Sequence, residues 1–330
     1  MAQQPVDHLG GDRFPIVVEP FGVYMDRCLY DPDTGFYASG RGVAGGRRGD
    51  FITSPEVGPL FGAVLAQAID TWWEAAGAPD SFPVVDFGSG PGGLLRALEL
   101  AAPRCSSAWS LIGVDRANAE PVEVDLTGAI VIANELLDNV PFDIGMRTVD
   151  GDQRLLVDGR PPAHSTWWEP IEQPIVVDVP IGQPFPILTA ASRLVDELLA
   201  QSPLRIVAFD YGRSATAALA ERGGWLRTYR QHQRGEDPFL EPGAWDITTD
   251  IAPDQLPRPD HVGTQAEFLL THGIDALVEE GRGYWKTNAA APDLAAMRMR
   301  SRIREAEALL DPDGLGSFLC LEWDGRTAAR

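Results

Sequence analysis

One segment constrains this chain more than any other: Phe82-Pro-Val-Val-Asp-Phe87, followed at once by Gly88-Ser-Gly-Pro-Gly-Gly93. A short apolar run of this kind fits a strand buried on both faces. A glycine cluster directly after it lets the backbone turn sharply and approach a ligand closely. Residues 94–101 then read as a helix. Strand, glycine turn and helix in that order predict an α/β fold: a doubly wound, mostly parallel sheet with helices on both faces. Further strands are expected at 109–115, 122–125, 129–135 and 205–210. Ligands in such sheets bind outside the carboxyl ends of the strands, near the point where strand order reverses. Gly88, Asp115, Asp125, Asn134, Glu135, Asp210 and Tyr211 stand at those ends.

The glycine turn reads in two ways. Gly88, Gly90 and Gly93 spell GxGxxG, the dinucleotide fingerprint. Asp86, Gly88, Gly90 and Gly92 spell (D/E)xGxGxG, the first motif of methyltransferases. A dinucleotide needs a helix N-terminus open to its pyrophosphate. S-adenosylmethionine has no phosphate; it carries an ammonium and a sulfonium, which a carboxylate such as Asp86 suits. Pro91 also removes one N–H that a phosphate could use. These features favour the methyl donor. Asp115 suits ribose hydroxyls in either class. Asp125 and Leu126, after the third expected strand, are placed at the adenine edge, with a solvated loop acid the plain alternative.

Composition narrows the function further. A chain of 330 residues, 44% of them apolar, can build one large core with insertions or two modest domains. No uninterrupted apolar stretch reaches about 18 residues, which argues against a membrane span. The first twelve residues are polar and show no basic start before an apolar run, so a cytoplasmic location is expected. Cys28, Cys105 and Cys320 are scattered and the five histidines lack ligand spacing, so neither a disulfide framework nor a metal site is expected. No GxSxG signature occurs. A net charge of −21 disfavours nucleic acid. It suits solubility more readily than attraction of a basic substrate.

Four segments are expected. Residues 1–80 form an N-terminal helical extension. It holds a helix at 20–30, a turn at 31–35, a Gly/Arg-rich loop at 39–49, and a helix with Leu60, Phe61, Val64, Leu65, Ile69 and Trp72 on one face. Ser54 reads as an N-cap, with Pro55 and Glu56 in the first turn. Residues 81–141 make the first half of the core. Residues 142–182 form a β-rich insertion with a strand-like piece at 175–178. Residues 183–330 complete the core with a helix at 189–200, a loop-rich stretch at 212–260, a helix at 264–272, and a C-terminal β-hairpin turning at Asp311-Pro-Asp-Gly314.

Several blocks lie in one order along residues 20–325: Tyr30-Asp-Pro with Gly35-Phe-Tyr37, Gly49-Asp-Phe-Ile-Thr-Ser-Pro-Glu56, the glycine turn, Ala133-Asn-Glu-Leu-Leu-Asp138, Phe209-Asp-Tyr-Gly212, Leu226-Arg-Thr-Tyr-Arg230 and Thr264-Gln-Ala-Glu-Phe-Leu269. On these the chain resembles the MidA-like family of S-adenosylmethionine-dependent methyltransferases, whose mitochondrial member methylates an arginine. The resemblance implies the class I methyltransferase fold, S-adenosylmethionine as cofactor and a protein substrate. It implies that Gly88, Ser89, Gly90 and Gly92 line the donor. Thr53, Ser54, Pro55 and Glu56 would approach the mouth, Gln265 would stand on the substrate side, and Asn134 and Glu135 would sit by the transferring methyl. Two features depart from the pattern. The usual Gly-Pro-Gly-x-Gly turn is Gly-Ser-Gly-Pro-Gly here. Only residues 116–121 separate the second and third expected strands, whereas a parallel crossover needs a dozen or more. Either a crossover helix is missing or 122–125 is not a neighbouring parallel strand.

If the acceptor is arginine, a carboxylate can align its guanidinium bidentately. Glu135 is the first candidate for that role, and Asp138 and Glu56 follow. Asp210 either pairs with substrate or holds Arg205 or another cation. Arg227, Tyr229 and Arg230 frame the entrance or form an ordinary salt-bridged loop. The tryptophan pairs 72–73 and 167–168 read as packing before ligand stacking. Two rivals stand beside the enzyme: a non-catalytic assembly factor with weakened donor binding, and a nicotinamide oxidoreductase.

Overall fold

The computed structural model describes residues 18–37, 53–116, 124–158, 165–230, 233–235 and 237–325. The expected Gly/Arg-rich loop at 39–49 and the first part of the Gly49–Glu56 block fall outside them.

The central sheet is built from β2 (Phe82–Phe87), β3 (Trp109–Val114), β4 (Ile130–Asn134), β9 (Arg205–Asp210), β13 (His261–Thr264) and β14 (Leu319–Asp324), in the spatial order β3-β2-β4-β9-β14-β13. The first four run parallel; β14 lies antiparallel to β9, and β13 antiparallel to β14. From β2 the chain steps to β3 on one side, and later to β4 on the other. Strand order therefore reverses between β2 and β4, where the ligand crevice of an open α/β sheet belongs.

The apolar runs explain why this sheet is covered twice. Residues alternate faces along a strand. Val85, Val131, Ala133, Ile206, Ala208, Leu321 and Trp323 pack into one core, with Phe21, Tyr24 and Met25 of α1 (Phe21–Tyr30) and Val195 and Leu198 of α5 (Thr189–Ala200). Val84, Ile130, Ile132, Val207, Phe209 and Cys320 face the opposite core. There they meet α3 (Pro59–Ala75), α4 (Gly93–Ala101), α7 (Gln265–Thr271), α8 (Ile274–Asn288) and α9 (Leu294–Leu309). All six apolar residues expected on one face of α3 are buried.

The N-terminal segment, the insertion and the residues just after it share a second sheet, antiparallel throughout. It consists of β1 (Val18–Pro20), β5 (Asp143–Thr148), β6 (Gly151–Asp158), β7 (Ser165–Pro170) and β8 (Pro184–Ile187), ordered β1-β6-β5-β8 with β7 also on β6. A third sheet holds β10 (Leu226–Arg230), β11 (Gln233–Gly235) and β12 (Asp246–Thr249). The remaining helices are α2 (Ser54–Val57) and α6 (Thr216–Arg222).

Several expectations need correction. Residues 117–123 lie outside the described part, and Val124 and Asp125 are coil rather than strand. Among the described residues β3 has β2 as its sole neighbour, so the short link needs no crossover helix. Residues 175–178 form no strand; the loop there is held by Arg147, whose guanidinium donates to the carbonyls of Ile175 and Val177. The stretch 212–260 is loop-rich as expected, with α6, β10, β11 and β12 set within it. No terminal hairpin turns at Asp311. That turn instead ends α9, a helix the sequence reading missed, and β14 finds β13 across the intervening helices. Trp72 is core, against Phe268 and His272, whereas Trp167 and Trp168 are partly exposed on β7.

Candidate active site

The glycine turn sits at the carboxyl end of β2. Gly88, Gly90 and Gly92 take φ of +86°, +48° and +74°, a backbone that L side chains rarely adopt. The turn is tied to β3: the N–H groups of Gly88 and Ser89 donate to the Val114 carbonyl at 2.7 and 3.1 Å. Asp115 Oδ2 accepts the Gly90 N–H at 2.7 Å, so one oxygen of the expected ribose acid already pins the loop. A Cβ on Gly88 would meet Leu136 Cδ1 at 2.9 Å, and one on Gly113 would meet Ser89 Oγ at 2.8 Å. Asp86, one residue inside the strand end, is 3% exposed. Burial, with the nearby Asp115, pushes its carboxyl up to about 7. A buried acid beside a bend of small residues is the environment a cationic, phosphate-free nucleotide needs. These residues fit the donor, and Asp86, Gly88 and Gly90 would hold it.

Across the switch point, β4 ends in Asn134 and passes directly into Glu135, whose φ is +51°. Glu135 is pinned there: its N–H donates to the Phe209 carbonyl at 2.8 Å. Its Oε1 accepts from Asn134 Nδ2 at 3.2 Å and from the Ser54 N–H at 3.4 Å. Oε2 is buried and takes no hydrogen bond. Left-handed backbone at a non-glycine residue costs on the order of 1–3 kcal/mol and persists where the surroundings enforce it. Burial, and after it Asp138, raises the Glu135 carboxyl to about 8.

Glu135, Asp138, Asn139, Tyr211, Tyr229, Asp246 and Thr248 line a recess beside this strand end. Asp138 is 3% exposed and its Oδ1 is buried without a hydrogen bond. Desolvation raises its carboxyl to about 7, against the pull of Arg227. Arg227 lies 4.5 Å over the Tyr211 ring and within 2.7 Å of Asp250 Oδ1. That contact is an ion pair without hydrogen-bond alignment, since both atoms lack a bond of good geometry. Tyr37 Oη donates to Asp246 at 2.9 Å, and Asn139 Nδ2 donates to Asp246 and to the Ile247 carbonyl. Carboxylates, tyrosine rings and buried acceptors without donors make a recess suited to a planar cation.

The structure divides the remaining expected residues. Thr53 is the cap of α2, in place of Ser54, and Glu56 turns back to accept its N–H at 3.1 Å. Ser54 and Gln265 are both 0% exposed and bind each other, Oγ to Oε1 at 2.8 Å. They hold the mouth segment to α7 and do not face a substrate. Pro55 comes within 4.0 Å of where a Gly93 Cβ would stand, so the mouth does meet the glycine turn. Asp210 turns inward and does not hold Arg205. At 1% exposure it accepts the N–H groups of Leu137, Asp138 and Tyr211, fixing the turn that carries Asp138. Arg205 pairs with Glu322 at the other end of β9. Arg230 binds Glu241 away from the recess.

Asp125 and Leu126 are at the wrong end of the sheet for adenine. Asp125 is exposed and caps its own turn through the Thr127 N–H. Leu126 is 1% exposed in the core, just before β4 begins, where the Gly128 N–H reaches the Ser202 carbonyl ahead of β9. The five residues of β4 put roughly 17 Å between that edge and Glu135. Sequence reasoning missed Asn139, Asp246 and Thr248. Asp246 stands 107 residues from Asn139, and nothing in the chain announces that pairing.

Fold and turn together define an α/β protein whose ligand crevice lies at the glycine turn, outside the carboxyl ends of the strands. A family model described as "Putative S-adenosyl-L-methionine-dependent methyltransferase" matches residues 109–265. "Protein arginine methyltransferase NDUFAF7, mitochondrial" from Xenopus tropicalis is 26% identical over 315 residues, covering 76% of this chain and 71% of the relative. Its Drosophila melanogaster homologue is 40% identical over 77 residues, which is 23% of this chain and 17% of the fly protein. Among solved structures, a "likely methyl transferase from Burkholderia thailandensis bound to S-adenosyl-homocysteine" shares the fold. It has a TM-score of 0.75 and 23% identity, over 92% of this chain and 87% of that one. Along three quarters of its length the chain is thus similar to S-adenosylmethionine-dependent methyltransferases of the MidA-like type, and S-adenosylmethionine is the cofactor these comparisons support.

Proposed function

We propose that the protein methylates an arginine side chain of a protein acceptor. The observation that carries this reading is the pair of buried, undonated carboxylate oxygens, Glu135 Oε2 and Asp138 Oδ1, in a tyrosine-walled recess beside the donor turn. When bound, the donor supplies a methyl group on a sulfonium. Asp86 faces that positive charge, and the glycine turn gives it room. Glu135 accepts two guanidinium N–H groups and localises the cation's charge, which makes one nitrogen a better nucleophile. Asp138 balances the charge and takes up the proton released on transfer; its value near 7 suits that exchange. The names of the frog and fly relatives support arginine as the acceptor.

The test is incubation with labelled donor and host-cell lysate, followed by identification of the labelled residue. Label on arginine of a discrete protein is expected. Label only on lysine, carboxylate or small molecules refutes the acceptor. A second reading, a non-catalytic interaction factor, draws on β3 being a sheet edge with no further strand beyond it among the described residues. Calorimetric titration with donor separates the two, since no heat at millimolar donor would favour the factor.

A further inference from the structure

The chain carries a net charge of −21, yet residues 281–304 hold six cationic side chains and one acid, Asp293. These residues form the tip of the antiparallel pair α8 and α9. Two of the six are neutralised locally: Arg282 pairs with Glu279 and Arg302 with Glu280. Lys286, Arg298, Arg300 and Arg304 are exposed, and among the described residues none has an acidic partner. On α9 the helical period puts Leu294, Met297, Arg298, Arg300 and Arg304 on one solvent-facing arc. Leu294 and Met297 are 80% and 51% exposed. The inner face of the same helix packs on α8, where Met299 and Arg302 close over Gly281.

This arc leads to the site. Glu305 lies two turns beyond Arg298 on the same stripe, and its Oε2 accepts the Leu60 N–H at 2.9 Å at the start of α3. A Cβ on Gly58 would collide with the Glu305 carboxylate at 2.3 Å, so α9 sits directly on the connection between α2 and α3. Four residues earlier, the Ser54 N–H donates to Glu135.

We infer that the arc of α9 is a docking face for an acidic, partly apolar segment of the methyl acceptor, adjoining the acceptor recess. The inference rests on the proposed protein substrate and names what that substrate must carry outside its target side chain. A short segment is favoured over an extended polyanion by range. Charges act over roughly 8–10 Å at physiological salt. A membrane or duplex would meet the acidic bulk of the molecule along with the patch, whereas a peptide meets the patch alone. The path from Arg298 along α9 and α2 to Glu135 is roughly 20–25 Å, so an extended chain covers it in about 6–8 residues. The acidic cluster should lie at about that spacing from the methylated residue.

Fluorescence anisotropy on the full chain tests this with a labelled peptide, one arginine followed seven residues later by Glu-Glu-Leu-Glu. A control peptide carries Lys in place of each Glu. Binding of the first and not the second is expected, weakening as salt rises. The double variant Arg298→Glu/Arg304→Glu should lose roughly tenfold in affinity. Arg298→Gln/Arg304→Gln, with unchanged circular dichroism, should lose less. Donor calorimetry runs in parallel and is expected unchanged in both variants, so a failed methyltransferase reading would show there and not in the anisotropy. Equal affinity of both peptides, or an unaltered affinity in the reversal variant, overturns the inference. So does tighter binding of phosphatidylserine vesicles or duplex DNA that depends on the same two arginines.

Discussion

Glu135→Gln separates the two burdens this residue carries. The substitution keeps shape and removes charge. In the native protein burial lifts the carboxyl from an ordinary 4.5 to about 8. The raised value means the folded state holds the proton more tightly than the unfolded chain. The associated stability is present in full below about pH 4.5 and is lost as pH rises through about 8. A displacement of that size corresponds to about 4–5 kcal/mol between those limits. Gln carries no such term. The variant should therefore melt close to wild type at pH 5 and above it at pH 9, by on the order of 5 °C for a chain of this length. Methyl transfer should meanwhile fall by about two to three orders of magnitude, since the two charge-assisted hydrogen bonds proposed to the acceptor guanidinium would be lost. The assays are scanning fluorimetry across pH without ligand and single-turnover transfer with saturating donor. Identical melting curves at pH 9, or transfer within threefold of wild type, would refute the reasoning.

Other outcomes depend on single contacts. Gly90→Val should abolish the heat of donor binding, because a branched side chain at φ +48° is strained and would displace the turn; retained heat would move the donor elsewhere. Ser54→Ala should lower stability by about 1–2 kcal/mol through loss of the buried bond to Gln265, read by urea melts, with little change in transfer once the variant is folded. Glu305→Ala should cost about 1–3 kcal/mol by leaving the Leu60 N–H buried without its acceptor, and a thermal shift below 1 °C would show that contact to be dispensable.

The sequence on its own determined the features that local periodicity and local backbone chemistry dictate. Apolar runs such as 82–87 and 129–135 meant strands covered on both faces. The helix at 59–75 came from its apolar period, and the turn at 88–93 from glycines that alone adopt positive φ cheaply. Asp86, Asn134, Glu135 and Asp138 were legible because they sit at or just past strand ends. Only the tertiary structure decided which acids face a ligand. It turned Asp210 inward to three backbone N–H groups, locked Ser54 onto Gln265, and put Asp125 and Leu126 at the far edge of the sheet. It also joined Asn139 to Asp246 across 107 residues and turned the Asp311 signal into a helix end. The reason is physical. A carboxylate's role depends on which donors and charges surround it after folding, and those partners come from chain positions whose proximity no local pattern encodes.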